Sequence, residues 1–171
     1  MLTPEEEKYL KTLSKTKIVN IFVYDEKIKE IVKDIASKID KFMPELEVKF
    51  LGASALEISG QKDIDLYILC PKDKFPEYLQ KMMRVFDLPE FMSKESIKWS
   101  FKKSGYDIEL YLTDPDTPQM QRQIKVYEIL KNNPELLKEY ENLKQSFDGK
   151  SYHSYQKAKY EFYDKILVEN E

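Results

Sequence analysis

Two hydrophobic periods alternate along the chain, and their order predicts its elements. Behind Asp25, apolar residues recur at Ile28, Ile31, Val32, Ile35, Ile39 and Phe42, which is helical spacing, and Pro44 closes the run. The period then falls to two: Leu46, Val48 and Phe50 alternate with Glu45, Glu47 and Lys49, predicting a strand over Glu45–Phe50. Strand spacing returns at Asp63–Leu69, at Ile97, Trp99 and Phe101 against Lys98, Ser100 and Lys102, and at Tyr106–Leu112. Between them, Tyr78, Leu79, Met82, Met83 and Phe86 predict a helix over Phe75–Phe86. Lys103-Ser104-Gly105 reads as the turn of a hairpin. Thr3-Pro4 followed by Glu5, Glu6 and Glu7 opens a short helix, and Lys17–Val23 reads as a first strand or extended segment. Thr117-Pro118, Asn133-Pro134 and Ser151 each mark the start of a later helix. Residues 87–95 carry no clear period.

This order predicts an α+β fold: a mixed sheet flanked by helices, with a C-terminal helical segment. A chain of 171 residues suits one domain, residues 1–171, with the sheet in 1–116 and a helical tail packed on it in 117–171. Hydrophobic residues at 42% and aromatics at 13% exclude a disordered chain. The net charge of −3 supplies no global basic field for nucleic acid, so RNA enters only as one candidate acceptor. A single cysteine, Cys70, excludes an intrachain disulfide framework and suits a reducing cytoplasm. The absence of a long apolar run or a leader pattern predicts a soluble, cytoplasmic protein with no membrane partner.

The chemistry concentrates around Phe50-Leu51-Gly52-Ala53-Ser54 and the strand that opens Asp63-Ile64-Asp65. Aspartate is depleted in strands, and positions two apart share a face. Two carboxylates so placed suit a hard divalent cation, which prefers oxygen ligands and also binds phosphates. The competing reading is a solvated strand face. A second alternating strand, Tyr106–Leu112, places Asp107, Glu109 and Tyr111 on one face. If the two strands are neighbours, like charges oppose one another, which destabilises a sheet unless a cation intervenes.

Glycine–serine loop, Asp63-x-Asp65 and Ile108-Glu109-Leu110 together resemble the nucleotidyltransferase superfamily of the DNA polymerase beta type. That resemblance implies a loop contacting a triphosphate and three acids holding two magnesium (or manganese) ions. Asp63 and Asp65 would be the paired ligands and Glu109 the third acid, with Asp107 on the same face as its substitute. Over nearly the whole length, Val23-Tyr24-Asp25, the Gly52–Asp65 segment, Asn133-Pro134-Glu135 and Tyr155-x-x-x-Lys159-x-x-Phe162 are similar to the GrpB family. Members of that family usually read Gly-Ser-Thr-x-Val-Pro-Gly in the loop, where this chain has Gly52-Ala53-Ser54-Ala55-Leu56-Glu57, and carry histidines where it has Asp107 and Glu109.

The resemblance implies transfer of NMP from a nucleoside triphosphate to an acceptor hydroxyl of a small molecule, a protein or an RNA end. The alternative is a fold that binds nucleotide or a partner without catalysis. Gly52, Ala53 and Ser54 would meet the phosphates, Ser54 with its hydroxyl. Lys159, at the family-like position, and Lys62 would neutralise them, with Lys98 in reserve. Most lysines in a chain with 35% charged residues are solvated surface. His153, the only histidine, has no ligand companions nearby, which argues against zinc. Trp99 and the tyrosines are candidates for base stacking, against the commoner role of core filler.

Overall fold

Local chemistry sets the element boundaries in a computed structural model that describes residues 2–170. Thr3 and Glu6 form a reciprocal capping box ahead of α1 (Pro4–Thr12). The Asp25 carboxylate accepts the Lys27 amide at 2.9 Å and starts α2 (Lys27–Phe42), whose buried stripe is Ile28, Ile31, Ile35 and Ile39. The strands are β1 (Glu47–Leu51), β2 (Asp63–Leu69), β3 (Phe91–Met92), β4 (Ser96–Lys103) and β5 (Tyr106–Thr113). Between β2 and β3 lie a short 3-10 turn and α3 (Phe75–Phe86). Three helices follow: α4 (Pro118–Asn132), α5 (Pro134–Ser146) and α6 (Tyr152–Glu169). The Thr117 hydroxyl accepts the Met120 amide, Asn133 accepts the Leu136 amide and Ser151 the Ser154 amide, so each expected helix start is a side-chain cap.

Strand order is β1-β2-β5-β4-β3, with β2 and β5 parallel and every other pair antiparallel. The sheet is therefore mixed, as the sequence predicts. Between β4 and β5, Ser104 and Gly105 both take positive φ, 52° and 84°, which suits the twist of a two-residue hairpin. Strand β1 begins at Glu47 rather than Glu45, because the backbone first makes a turn in which the Leu46 amide donates to the Met43 carbonyl at 3.1 Å. Residues 87–95, without a clear period, contain the two-residue β3.

The described residues divide into two compact units that interleave along the chain. One holds Asp25–Glu57 and Lys62–Ile124, and its core is the α2 stripe, Phe75, Tyr78 and Met82 of α3, and the apolar face of the sheet. Ile64, Leu66 and Ile68 of β2, Ile97 and Trp99 of β4, and Ile108, Leu110 and Leu112 of β5 are all buried. Trp99 donates its indole N–H to the Asp87 carbonyl at 3.0 Å, so it is core and not a stacking platform.

The other unit holds the described residues up to Tyr24, Ile58–Gln61 and the described residues from Lys125 onward. The N-terminal segment thus groups with the later helices, and the boundary on the C-terminal side falls within α4, between Ile124 and Lys125. Lys17–Val23 is extended but forms no regular strand. It bridges at Ile18 to Ser151 and at Phe22 to Gly60. Ser59 is drawn in by the Glu141 carboxylate, which accepts its amide and its hydroxyl at 2.9 and 2.8 Å. Lys144, 3% exposed, donates to the Tyr155 hydroxyl at 2.7 Å and lies over the Tyr140 and Tyr155 rings, whose faces answer its charge. No helix among the described residues is long and apolar enough to cross a membrane.

Candidate functional site

The parallel ladder between β2 and β5 assembles the acids. Asp63 stands beside Asp107, Asp65 beside Glu109 and Tyr67 beside Tyr111. The strands are neighbours, in the arrangement that opposes like charges. Adjacent strands lie about 4.8 Å apart. Two unit charges at that spacing repel by roughly 1–3 kcal/mol between wet and partly screened surroundings. One rung further along, the Tyr67 and Tyr111 rings stack at 4.8 Å with 7° between their planes. Neither tyrosine is part of the loop-and-acid motif. Their signal was the same-face position two residues after Asp65 and Glu109.

Lysines of β4 face the β5 acids. Lys102, opposite Asp107, bonds its Oδ1 at 2.6 Å, and Lys98, opposite Tyr111, reaches Glu109 Oε1 at 2.9 Å. The Tyr111 hydroxyl donates to Glu109 Oε2 at 2.7 Å. Burial pushes that hydroxyl's pKa well up, and the nearby Tyr67, Glu109 and Asp65 add to the effect, so it keeps its proton and remains a donor. Lys103 turns to Asp34 at 2.7 Å. Lys98, Lys102 and Lys103 are thus each bonded to a carboxylate of the same unit.

On the β1 side, Gly52 has φ of +85°, and a Cβ there would stand 2.9 Å from Asp65 Oδ2. The chain needs glycine at this point for two reasons: a left-handed backbone and room for the Asp65 carboxylate. Ala53 and Ser54 follow in a tight turn in which the Gly52 and Ala53 carbonyls both accept the Leu56 amide. Ser54 is buried, and its hydroxyl donates to the Asp63 carbonyl at 2.6 Å. This bond fastens the loop to the start of β2, so a phosphate contact by the same hydroxyl would compete with it. Lys62 takes positive φ of 60°, its carbonyl accepts the Asp107 amide at 2.9 Å, and its charge acts on Asp25.

The structure thus brings together Gly52, Ala53, Ser54, Lys62, Asp63, Asp65, Asp107 and Glu109. Lys159 lies on α6 in the other unit, with Nζ 5.6 Å from the Tyr163 ring centroid. His153 is also on α6, in its first turn. The donor chemistry of Asp63 and Asp65 fits a divalent cation, since both are carboxylates on one strand face. The expected group of three acids does not form: among the described residues no three His, Cys, Asp or Glu side chains stand close enough to hold a metal ion. Glu109 has both oxygens engaged and Asp107 is bonded to Lys102.

The family model described as GrpB protein matches residues 18–169. No curated protein matches the chain. Among solved structures, a cytoplasmic RNA terminal U-transferase is similar at 16% identity with a TM-score of 0.40, covering 84% of this chain and 47% of that one. The Cid1 poly(U) polymerase, in a structure with Mg 3'-dATP bound, is similar at 14% identity with a TM-score of 0.41, covering 82% of this chain and 47% of that one. The chain spans less than half the length of either.

Proposed function

Since this chain belongs to the GrpB protein family, we propose that it is a nucleotidyltransferase, moving NMP from a nucleoside triphosphate to an acceptor hydroxyl on the acid face of its sheet. One observation carries the reading. Asp63 and Asp65 lie in register with Asp107 and Glu109 on adjacent parallel strands, and Gly52 opens a space against Asp65. Four acids on two rungs would repel one another, and Lys98 and Lys102 bond Glu109 and Asp107 of the β5 pair. A divalent cation held by the β2 pair would relieve that repulsion, since such ions take carboxylate oxygens as ligands.

Asp63 and Asp65 would hold magnesium or manganese together with phosphate oxygens of the nucleotide. Such an ion, when bound, neutralises charge on the phosphates and stabilises attacking and leaving oxygens. The chain's own part is positioning. Both aspartates project from β2, Asp65 at a rung paired to β1 and β5 and Asp63 at one paired to β5, which keeps them rigid. The Gly52–Ser54 turn sets backbone beside Asp65, and the Ser54 bond holds that turn against β2. Little covalent work falls to protein groups in phosphoryl transfers of this kind, so rigid placement of charge is the main contribution.

The engagement of Glu109 by Lys98 and Tyr111 favours a second reading, in which the chain binds a nucleotide with its cation and does not turn it over. One experiment separates the two. The four nucleoside triphosphates are screened with magnesium or manganese and candidate acceptor hydroxyls, measuring pyrophosphate release and, by calorimetry, binding. Pyrophosphate release that Asp65→Asn abolishes supports transfer. Cation-dependent binding without release supports the second reading, and turnover unaffected by Asp65→Asn contradicts both.

A further inference from the structure

Glu109 lies beside Asp65 in the ladder, yet it is held on the far side by a cation that belongs to the chain. Lys98 Nζ is 2.9 Å from Glu109 Oε1, 3.9 Å from Glu90 Oε2 and 5.6 Å from the centre of the Tyr111 ring. Its side chain is 23% exposed, against 78% for Lys102, so the Lys98 contact is sheltered while the Lys102 contact is a wet surface pair.

Resting on the reading of Asp63 and Asp65 as cation ligands, we propose that Lys98 is a resident counter-ion that keeps Glu109 out of the metal site, and that a divalent cation gains this third carboxylate only when Lys98 releases it. Three features support this. An ammonium and a metal ion compete for the same oxygen, since Oε1 cannot serve both at bonding distance. Lys98 has somewhere to go: Glu90, whose Oε2 accepts the Ser100 hydroxyl, already forms a longer ion pair with it at 3.9 Å on the side away from β5, and the lysine stem is flexible. Finally, Tyr111 bonds only Oε2 as a neutral donor. That contact is compatible with a ligating Oε1 and is the kind of outer partner that orients a metal-bound carboxylate. Lys98 is therefore a positioning residue that sets cation affinity through Glu109.

The test uses the full chain without nucleotide and reads free manganese by electron paramagnetic resonance during titration. Lys98→Met should bind manganese at least about tenfold more tightly than the wild type, the scale seen when partners of ligating carboxylates are altered. Lys98→Arg should stay near the wild-type value, and Lys98→Gln, which keeps a polar head, should follow Lys98→Met. Glu109→Gln should weaken binding several-fold more in the Lys98→Met background than in the wild type, because only there is Glu109 released. Equal manganese affinity in the wild type, Lys98→Met and Lys98→Gln, with binding still lost in Asp65→Asn, overturns the role of Lys98 and leaves the aspartate pair standing. No manganese binding by any of these proteins overturns both.

Discussion

Gly52 makes the closest demand on the site, and replacing it separates two costs. At Gly52 the backbone has φ of +85°, and an added Cβ meets Asp65 Oδ2 at 2.9 Å and Asp65 Cγ at 3.9 Å. Gly105 provides the control: φ is +84°, with nothing within 4 Å of the added atom. An L-residue in the left-handed region costs about 1–2 kcal/mol. A loss of about 1 kcal/mol lowers Tm by roughly 2–4 °C in a chain of this size. Gly105→Ala should therefore melt some 2–8 °C early and bind manganese like the wild type. Gly52→Ala carries the same backbone strain and also forces the Asp65 carboxylate aside. Its manganese affinity should fall by about tenfold or more, in line with other disturbances of ligand orientation. In an Asp65→Ala background the collision partner is gone, so the stability cost of Gly52→Ala should drop to that of Gly105→Ala. Thermal melts and manganese titrations on the wild type and these four variants read both effects. If Gly52→Ala matches Gly105→Ala in stability and in manganese affinity, the close approach of loop and carboxylate has no consequence, and the argument for Asp65 as a ligand loses its geometric support.

Two further outcomes concern the supports of the site. Ser54→Ala removes a buried hydroxyl donor and leaves the Asp63 carbonyl unmet, which should cost about 1–3 kcal/mol in urea unfolding; a change within error would show that the loop is held elsewhere. The Asp34 carboxyl lies below its ordinary value, chiefly through the hydrogen bond from Lys103, with the charges of Lys103 and Lys38 adding to it. A lowered carboxylate stabilises the fold above its unfolded value, and that contribution is lost as pH falls through the folded one. The wild type should therefore exceed Asp34→Asn in stability near neutrality and converge with it in acid, and parallel pH profiles would contradict the pairing.

Much of this was legible in the residues because it depended on neighbours in the chain. Caps at Thr3, Thr117, Asn133 and Ser151 bond amides within three residues, so their spacing alone locates the helix starts. Alternation in β2, β4 and β5 separates an apolar face from a charged one, since strand side chains must point opposite ways by turns. The same alternation places Asp63 with Asp65, and Asp107 with Glu109. Lys17–Val23 was only partly readable: it is extended, but its partners, Ser151 and Gly60, lie far along the chain.

Sequence by itself thus determined which residues share a face, where helices start and that glycine stands before the acidic strand, because each of these is a short-range steric or hydrogen-bonding matter. Only the tertiary structure decided that β2 and β5 pair in parallel and in register, since a crossover through α3, β3 and β4 brings them together. It also decided that β4 lies against β5, which puts Lys98 on Glu109 and Lys102 on Asp107. Whether a carboxylate meets a metal or a lysine depends on which strand becomes its neighbour, and that choice is made by burying the apolar side of the sheet, not by the charges themselves.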